Sequence, residues 1–276
     1  MTAAHREAFD SVRSSRIPAW LRRHERALIG AATLLVFLLL WETAFRFSWI
    51  NPLFISAPSQ VAAASVGVFS SADFRNDLMI SGTKFVVGYV MAIAIGIPLG
   101  LAVGGYRRLY FALSPFIHTL NTIPRVTLLP LIIIWFGIGI WSKIIVVFLG
   151  ALIPMIINTY AGVRASEERF LRVARSFNAS EIRVFRTVVL PGTVPFIFTG
   201  LKYASGRALL GVIVGELYAA TAGIGYFIVS SGNSLQTDKM LLGILIMIAT
   251  GLVTLQVLDR LERRFDAWRP RVGPAE

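Results

Sequence analysis

Arg125, Arg207 and Glu216 are among the ionisable side chains in stretches otherwise apolar enough to cross a membrane. Ionisable groups at that depth face a cavity or pair with one another. Arg125 and Arg207 would make a path through the hydrocarbon attractive to a small organic or inorganic anion. The competing reading pairs each arginine with a carboxylate or carbonyl on another helix. Arg207 and Glu216 are nine residues apart, about 13.5 Å along an ideal helix, so they cannot bond directly within one. Glu216 reads first as packing between spans and second as a pathway residue. Asn121, Thr122 and His118 either line the same path or hydrogen-bond between helices.

Other chemistries lack their residues. With no cysteine, disulfides, thiolate zinc sites and cysteine nucleophiles are excluded. His5, His24 and His118 are too scattered for a metal site. There is no GxxxxGK[ST] phosphate loop, HExxH pair or nucleophile elbow. The chain is therefore not expected to be an enzyme or to hold its own nucleotide, and energy for driven transport would enter through a partner.

A second group of residues points to protein docking. The segment 161–195 carries six arginines (Arg164, Arg169, Arg172, Arg175, Arg183 and Arg186) between two long apolar runs. Each would cost roughly 2.5–3.5 kcal/mol at a bilayer centre, so the segment lies in water or at the interface. Leu171, Ala174 and Phe177 recur on one helical face, with Arg172 and Arg175 elsewhere. Asn178 tolerates the left-handed backbone that ends a helix. Ser180 is placed to cap a second helix whose apolar face includes Ile182, Val184, Phe185 and Val188. Leu190-Pro191 is expected to stop that helix, because proline lacks an amide donor. The resulting helix–turn–helix, with Glu168 at its start and Ala179 at its elbow, is suited to gripping another protein. An ordinary basic loop that only enforces topology is the plainer alternative.

Positioning these groups requires a bundle of membrane helices. The chain is 55% hydrophobic and 15% charged, with a mean hydropathy of +0.69, far from the quarter charged of ordinary soluble domains. Spans are expected at 27–45, 84–105, 113–136, 143–160, 196–219 and 239–258. The third is broken, holding Pro115, Pro124 and Pro130. Segment 46–83 is expected outside the membrane, with a short helix capped by Ser59 and running through Phe69. Segment 220–238 is expected to be an external loop. Residues 1–26 and 259–276 read as cytoplasmic tails, with Trp20 and Leu21 either on a helix lying along the headgroups or in a disordered segment. If both termini are inside, 19 of the 27 Lys and Arg fall on inner segments, which satisfies the positive-inside rule. The net charge of +12 then records topology, and no nucleic-acid partner is needed. Gly100, Gly104 and Gly105 are expected at close helix contacts, and Trp41, Trp49, Trp135 and Trp141 in interfacial belts.

The segment 161–195 resembles the EAA loop of permease subunits of ATP-binding-cassette importers, in the nitrate/sulfonate/taurine-type branch. Family members show Glu-Ala-Ala, three residues, Gly-Ala-Ser, then Leu-Pro. This chain has Arg172-Val173-Ala174, Asn178-Ala179-Ser180 and Leu190-Pro191, so Arg172 replaces the glutamate and Asn178 the glycine. The likeness continues through IPRVTLLPLIIIWFGIG (123–139) and GELYAATAGIGYFI (215–228). It implies an all-α integral membrane protein with the type I importer permease fold: six transmembrane helices and a cytoplasmic coupling helix in the bacterial inner membrane. It further implies a second permease copy, two cytoplasmic ATPase subunits holding ATP and Mg, and an external substrate-binding protein. A stand-alone secondary transporter or channel is the rival. It would call for paired broken spans in two inverted halves, and only one strongly broken span is found.

Overall fold

A computed structural model of the protein describes residues 19–165 and 176–265. Every regular element among them is a helix, as expected where backbone amides must be satisfied without water. In chain order these are α1 (Ala19–Arg46), α2 (Pro58–Ser70), α3 (Ala72–Gly105), α4 (Arg107–Thr122), a 3-10 turn (Arg125–Leu128), α5 (Leu129–Phe136), α6 (Ile140–Arg164) and a short α7 (Glu181–Val184). A π-helical turn (Phe185–Val189), α8 (Leu190–Ala219), α9 (Ile224–Asn233) and α10 (Thr237–Arg263) complete them. Among the described residues five helices are long and apolar enough to span a membrane, or six if α4 and the segment Val126–Phe136, bent by 92°, count as one broken span.

The chain divides into two compact units, Met1–Ala63 and Ala64–Glu276. In the first, α1 ends in a local polar cluster. Arg46 Nε donates to Glu42 at 2.9 Å, and the backbone N–H and hydroxyl of Ser59 donate to the same carboxylate at 3.1 and 2.8 Å. Ser59 is thereby spent on Glu42 and does not cap its helix, which starts one residue earlier at Pro58.

The second unit is built on α6, which is packed on two faces. A stripe of small residues on α3 meets one of them. A β-carbon on Gly88, Gly96, Gly100 or Gly104 would stand 2.7, 2.9, 2.5 or 2.6 Å from Val147, Met155, Thr159 or Val163 respectively. Spacings of eight, four and four residues put these glycines on one ridge, where the backbones approach as membrane helices do when dispersion replaces the hydrophobic effect. Gly105 has open space around it and does not share this role. On the other face, Gly211 of α8 packs on the Val147 backbone, and Gly150 of α6 lies against the Arg207 carbonyl. Val147, Ala151 and Met155 are fully buried between these neighbours. The Thr159 hydroxyl is buried in this seam and finds no hydrogen-bond partner among the described residues.

Several elements differ from the sequence expectation. The second span begins not at 84 but at Ala72, where the Ser71 hydroxyl accepts from the Phe74 N–H and Asp73 sits in the first turn. Its 34 residues make a rod of about 51 Å, longer than the ~30 Å hydrocarbon core. Hydropathy therefore marks only where α3 enters lipid. Segment 220–238 holds α9 rather than a plain loop. Leu190-Pro191 does not stop the docking helix. The π turn shifts the ladder so that the Leu190 N–H reaches the Phe185 carbonyl, and Pro191 falls in the first turn of α8, where its missing donor costs little. The run from Glu181 to Tyr218 is consequently one continuous helix of 38 residues. Pro154 lies inside α6, which is unbroken there, and Asn158 Nδ2 donates to the Pro154 carbonyl at 2.9 Å.

Candidate functional site

The broken span borders a cavity. Pro124 removes an amide donor, and its ring Cδ, crowding the preceding residue, pushes Ile123 into extended backbone (φ −69°, ψ 123°), ending α4. The helix restarts as a 3-10 turn and then α5. Freed backbone of this kind is tolerated at membrane depth where it lines a cavity. α4 is tied to α6 by the Arg164 guanidinium 3.7 Å above the Tyr110 ring and by a 3.3 Å hydrogen bond between Tyr160 Oη and His118 Nε2. His118 thus bonds helix to helix, and the Thr122 hydroxyl bonds back to Thr119 O at 2.7 Å.

Between the break, α6 and α8 lies a cavity of about 310 Å³ whose walls include Asn121, Thr122, Pro124, Gly150, Arg207 and Gly211. Two of the four pathway candidates, Asn121 and Arg207, are therefore brought together. Arg207 is half-buried, and its Nη2 donates to Tyr203 Oη at 2.7 Å. A phenol leaves the guanidinium its full charge, so the wall of the cavity is cationic. Arg125 belongs by its backbone to the 3-10 turn that continues this wall; its side chain lies outside the described residues.

Glu216 lines neither this cavity nor the second one described below. It is 1% exposed and accepts from Lys84 Nζ at 2.7 Å, Ser81 Oγ at 2.7 and 2.9 Å, and the Gly225 N–H at 2.7 Å. Ser81 Oγ in turn accepts from the Ile224 N–H at 2.8 Å, and Asp77 accepts from the Gly223 N–H at 2.7 Å. Gly223 adopts φ 124°, and a β-carbon there would fall 2.4 Å from the Glu216 carboxyl. Three elements, α3, α8 and the start of α9, are joined through one carboxylate.

A second cavity of about 230 Å³ lies at the same end of the bundle, walled by Ile80, Lys84, Gly139, Lys143, Thr221 and Ala222 among others. Lys84 and Lys143 are 3% and 2% exposed. The sequence reading placed both at span edges and missed them. Their signal was present: each interrupts an apolar run, as Arg207 and Glu216 do.

At the opposite end of α6, the docking segment has the expected turn. Asn178 takes φ 53°, the left-handed conformation, and Ser180 (φ −63°, ψ 152°) stands at the N-cap position of α7 without a side-chain capping bond. Phe177 and Ile182, on either side of this turn, are 82% and 68% exposed. Ala179 is half-buried, and Leu190 and Pro191 sit at the start of α8. Glu168, Leu171, Arg172, Ala174 and Arg175 lie outside the described residues.

A helix bundle with a broken span, a cationic cavity and a basic inter-span turn is the arrangement a transport permease needs. Comparison with known proteins agrees: the chain belongs to the binding-protein-dependent transport system inner membrane component family, which matches residues 92–267, and within it to the nitrate/sulfonate/taurine-type branch of ATP-binding-cassette importer permeases. It is 33% identical over 249 residues to the taurine transport system permease protein TauC of Escherichia coli strain K12, covering 88% of this chain and 90% of that one. The nitrate import permease protein NrtB of Leptolyngbya laminosa is 36% identical over 170 residues, covering 62% of this chain and 61% of NrtB. In fold, the chain is similar to an inward-facing MetNI methionine ABC transporter chain, at a TM-score of 0.61 and 18% identity over 68% of this chain and 93% of that one.

Proposed function

We propose that two copies of this chain form the import pathway for a small anion of the sulfonate or nitrate class, in a bacterial inner membrane with both termini cytoplasmic. An external binding protein delivers the solute. Two ATPase subunits, which hold ATP and Mg, grip the segment that includes Glu168, Leu171, Arg172, Ala174, Arg175, Phe177, Asn178, Ala179 and Ser180. The observation that carries this reading is the pair Phe177 and Ile182. They are large apolar side chains, strongly exposed on a turn flanked by Arg183 and Arg186, where the charge excludes lipid burial. ATP-driven closure of the partners would push this turn, and the continuous helix beyond Ser180 would carry the movement to Arg207 and its cavity. Asn121, Arg125 and Arg207 form the anion-attracting part of the path, and Glu216 anchors it through Lys84. The names of two relatives, a taurine permease and a nitrate permease, support that class of solute.

Reconstitution of this chain with its ATPase and binding protein in proteoliposomes tests the reading. Hydrolysis stimulated by binding protein loaded with taurine, ethanesulfonate or nitrate is the expected result. Solute uptake by the chain alone, driven by an ion gradient, would refute it in favour of a secondary carrier.

A further inference from the structure

We infer that Tyr203 is a positioning residue for the Arg207 cavity: its phenol holds the guanidinium in place for an anion without cancelling the charge. The inference rests on the importer reading above. Tyr203 precedes Arg207 by four residues on α8, so the two stand on one face, about 6 Å apart along the axis. Long side chains of a helix lean toward its N-terminus, and the turn before α7 lies beyond that end of α8. Arg207 accordingly reaches back over the turn that carries Tyr203. Its Nη2 donates to Tyr203 Oη at 2.7 Å, and its Cζ stands 5.2 Å from the ring centroid. Leu210 and Val214 continue the same face and wall the cavity with Arg207. The positive charge is thus fixed toward the end of the cavity nearer the turn before α7.

The chemistry of the holder matters. Arg207 enters no ion pair among the described residues. A carboxylate one helical turn away would hold it as firmly, but would offset its charge and repel an anion. A phenol accepts the hydrogen bond and adds no charge. The guanidinium carries five N–H donors in a rigid fork. One is spent on Tyr203, which leaves others for the oxygens of a sulfonate, carboxylate or nitrate group. An untethered arginine would have to be ordered at every binding event, and that cost is removed when the side chain is held beforehand. Packing does not call for a tyrosine here, since Tyr203 is 52% exposed while its hydroxyl serves Arg207.

The test uses the assembled permease–ATPase complex in detergent, without binding protein, titrated with radiolabelled ethanesulfonate. Saturable binding displaced by nitrate is expected. Tyr203→Phe keeps the ring and removes only the acceptor. It should weaken binding about three- to tenfold, the factor that ordering one long side chain costs, with the melting temperature unchanged. In an Arg207→Gln background the same substitution should have no further effect, because Tyr203 acts through the guanidinium. Tyr203→Glu, which supplies an i,i+4 ion pair in place of the phenol, should weaken binding at least as much as Tyr203→Phe. Absence of saturable binding, binding by Tyr203→Phe within about twofold of the parent, an equal loss in the Arg207→Gln background, or parental binding by Tyr203→Glu would each overturn the assignment. So would weakened binding accompanied by a lowered melting temperature, which would give Tyr203 to the packing of the helix. Binding that obeys the expected pattern in a complex whose ATPase is never stimulated by loaded binding protein would count against the importer reading and leave the role of Tyr203 standing.

Discussion

Replacing Glu216 by glutamine is expected to unlock the bundle. The substitution keeps the side chain's shape but removes the charge that Lys84 faces at 2.7 Å, with side-chain exposures of 4% and 0% for the two partners. The glutamine amide would also turn a donor toward either the Gly225 N–H or the Ser81 hydroxyl, both of which now donate to the carboxylate. Breaking one side of a buried ion pair costs about 3–5 kcal/mol, because the remaining charge stays uncompensated in a low dielectric. For a chain of this size that corresponds to a fall in Tm on the order of 10 °C. The assay is thermal unfolding of the purified complex, followed by size-exclusion chromatography after heating. The double variant Lys84→Met/Glu216→Gln should recover at least half of the loss, since no isolated charge remains, and the double-mutant cycle isolates the pair. A single variant melting within about 2 °C of the parent, or a double variant no better than the single, would refute the reasoning.

Other substitutions probe the seam and the turn. Thr159→Val replaces a buried hydroxyl that has no partner among the described residues and should be neutral or stabilise by about 1 kcal/mol in the same melting assay. Gly100→Val should destabilise the α3–α6 seam by about 1–3 kcal/mol or more by overpacking, while Gly105→Ala, which meets open space, should change stability little. Asn178→Gly should keep substrate-stimulated hydrolysis, whereas Asn178→Val, β-branched at φ 53°, should cost about 1–3 kcal/mol locally and uncouple hydrolysis from transport. Arg207→Gln should lower anion uptake by about tenfold with the complex still assembled; unchanged uptake would remove Arg207 from the path.

Much of this was legible before the structure. Long apolar runs, interrupted by the arginines of 161–195, located the spans, and Asn178 marked the turn before α7 because few residues tolerate a left-handed backbone. The first turns of α3 were hidden because Asp73, Arg75 and Asp77 read as water-facing, and hydropathy reports the solvent around a helix rather than its beginning. The signal lay instead in Ser71 and Asp73, an N-cap and a first-turn acid. Pro191 misled because its effect depends on hydrogen-bond register, which a π turn resets. The partner of Glu216 was out of reach. Lys84 precedes it by 132 residues, and the packing of α3 and α8 on two faces of α6 brings them together.

That ridge and the π turn have a mechanical consequence. With no break between Glu181 and Tyr218, the 38 residues act as a crank of roughly 57 Å. A tilt of one degree about its Glu181 end would swing the far end, beside the carboxylate lock, by about 1 Å.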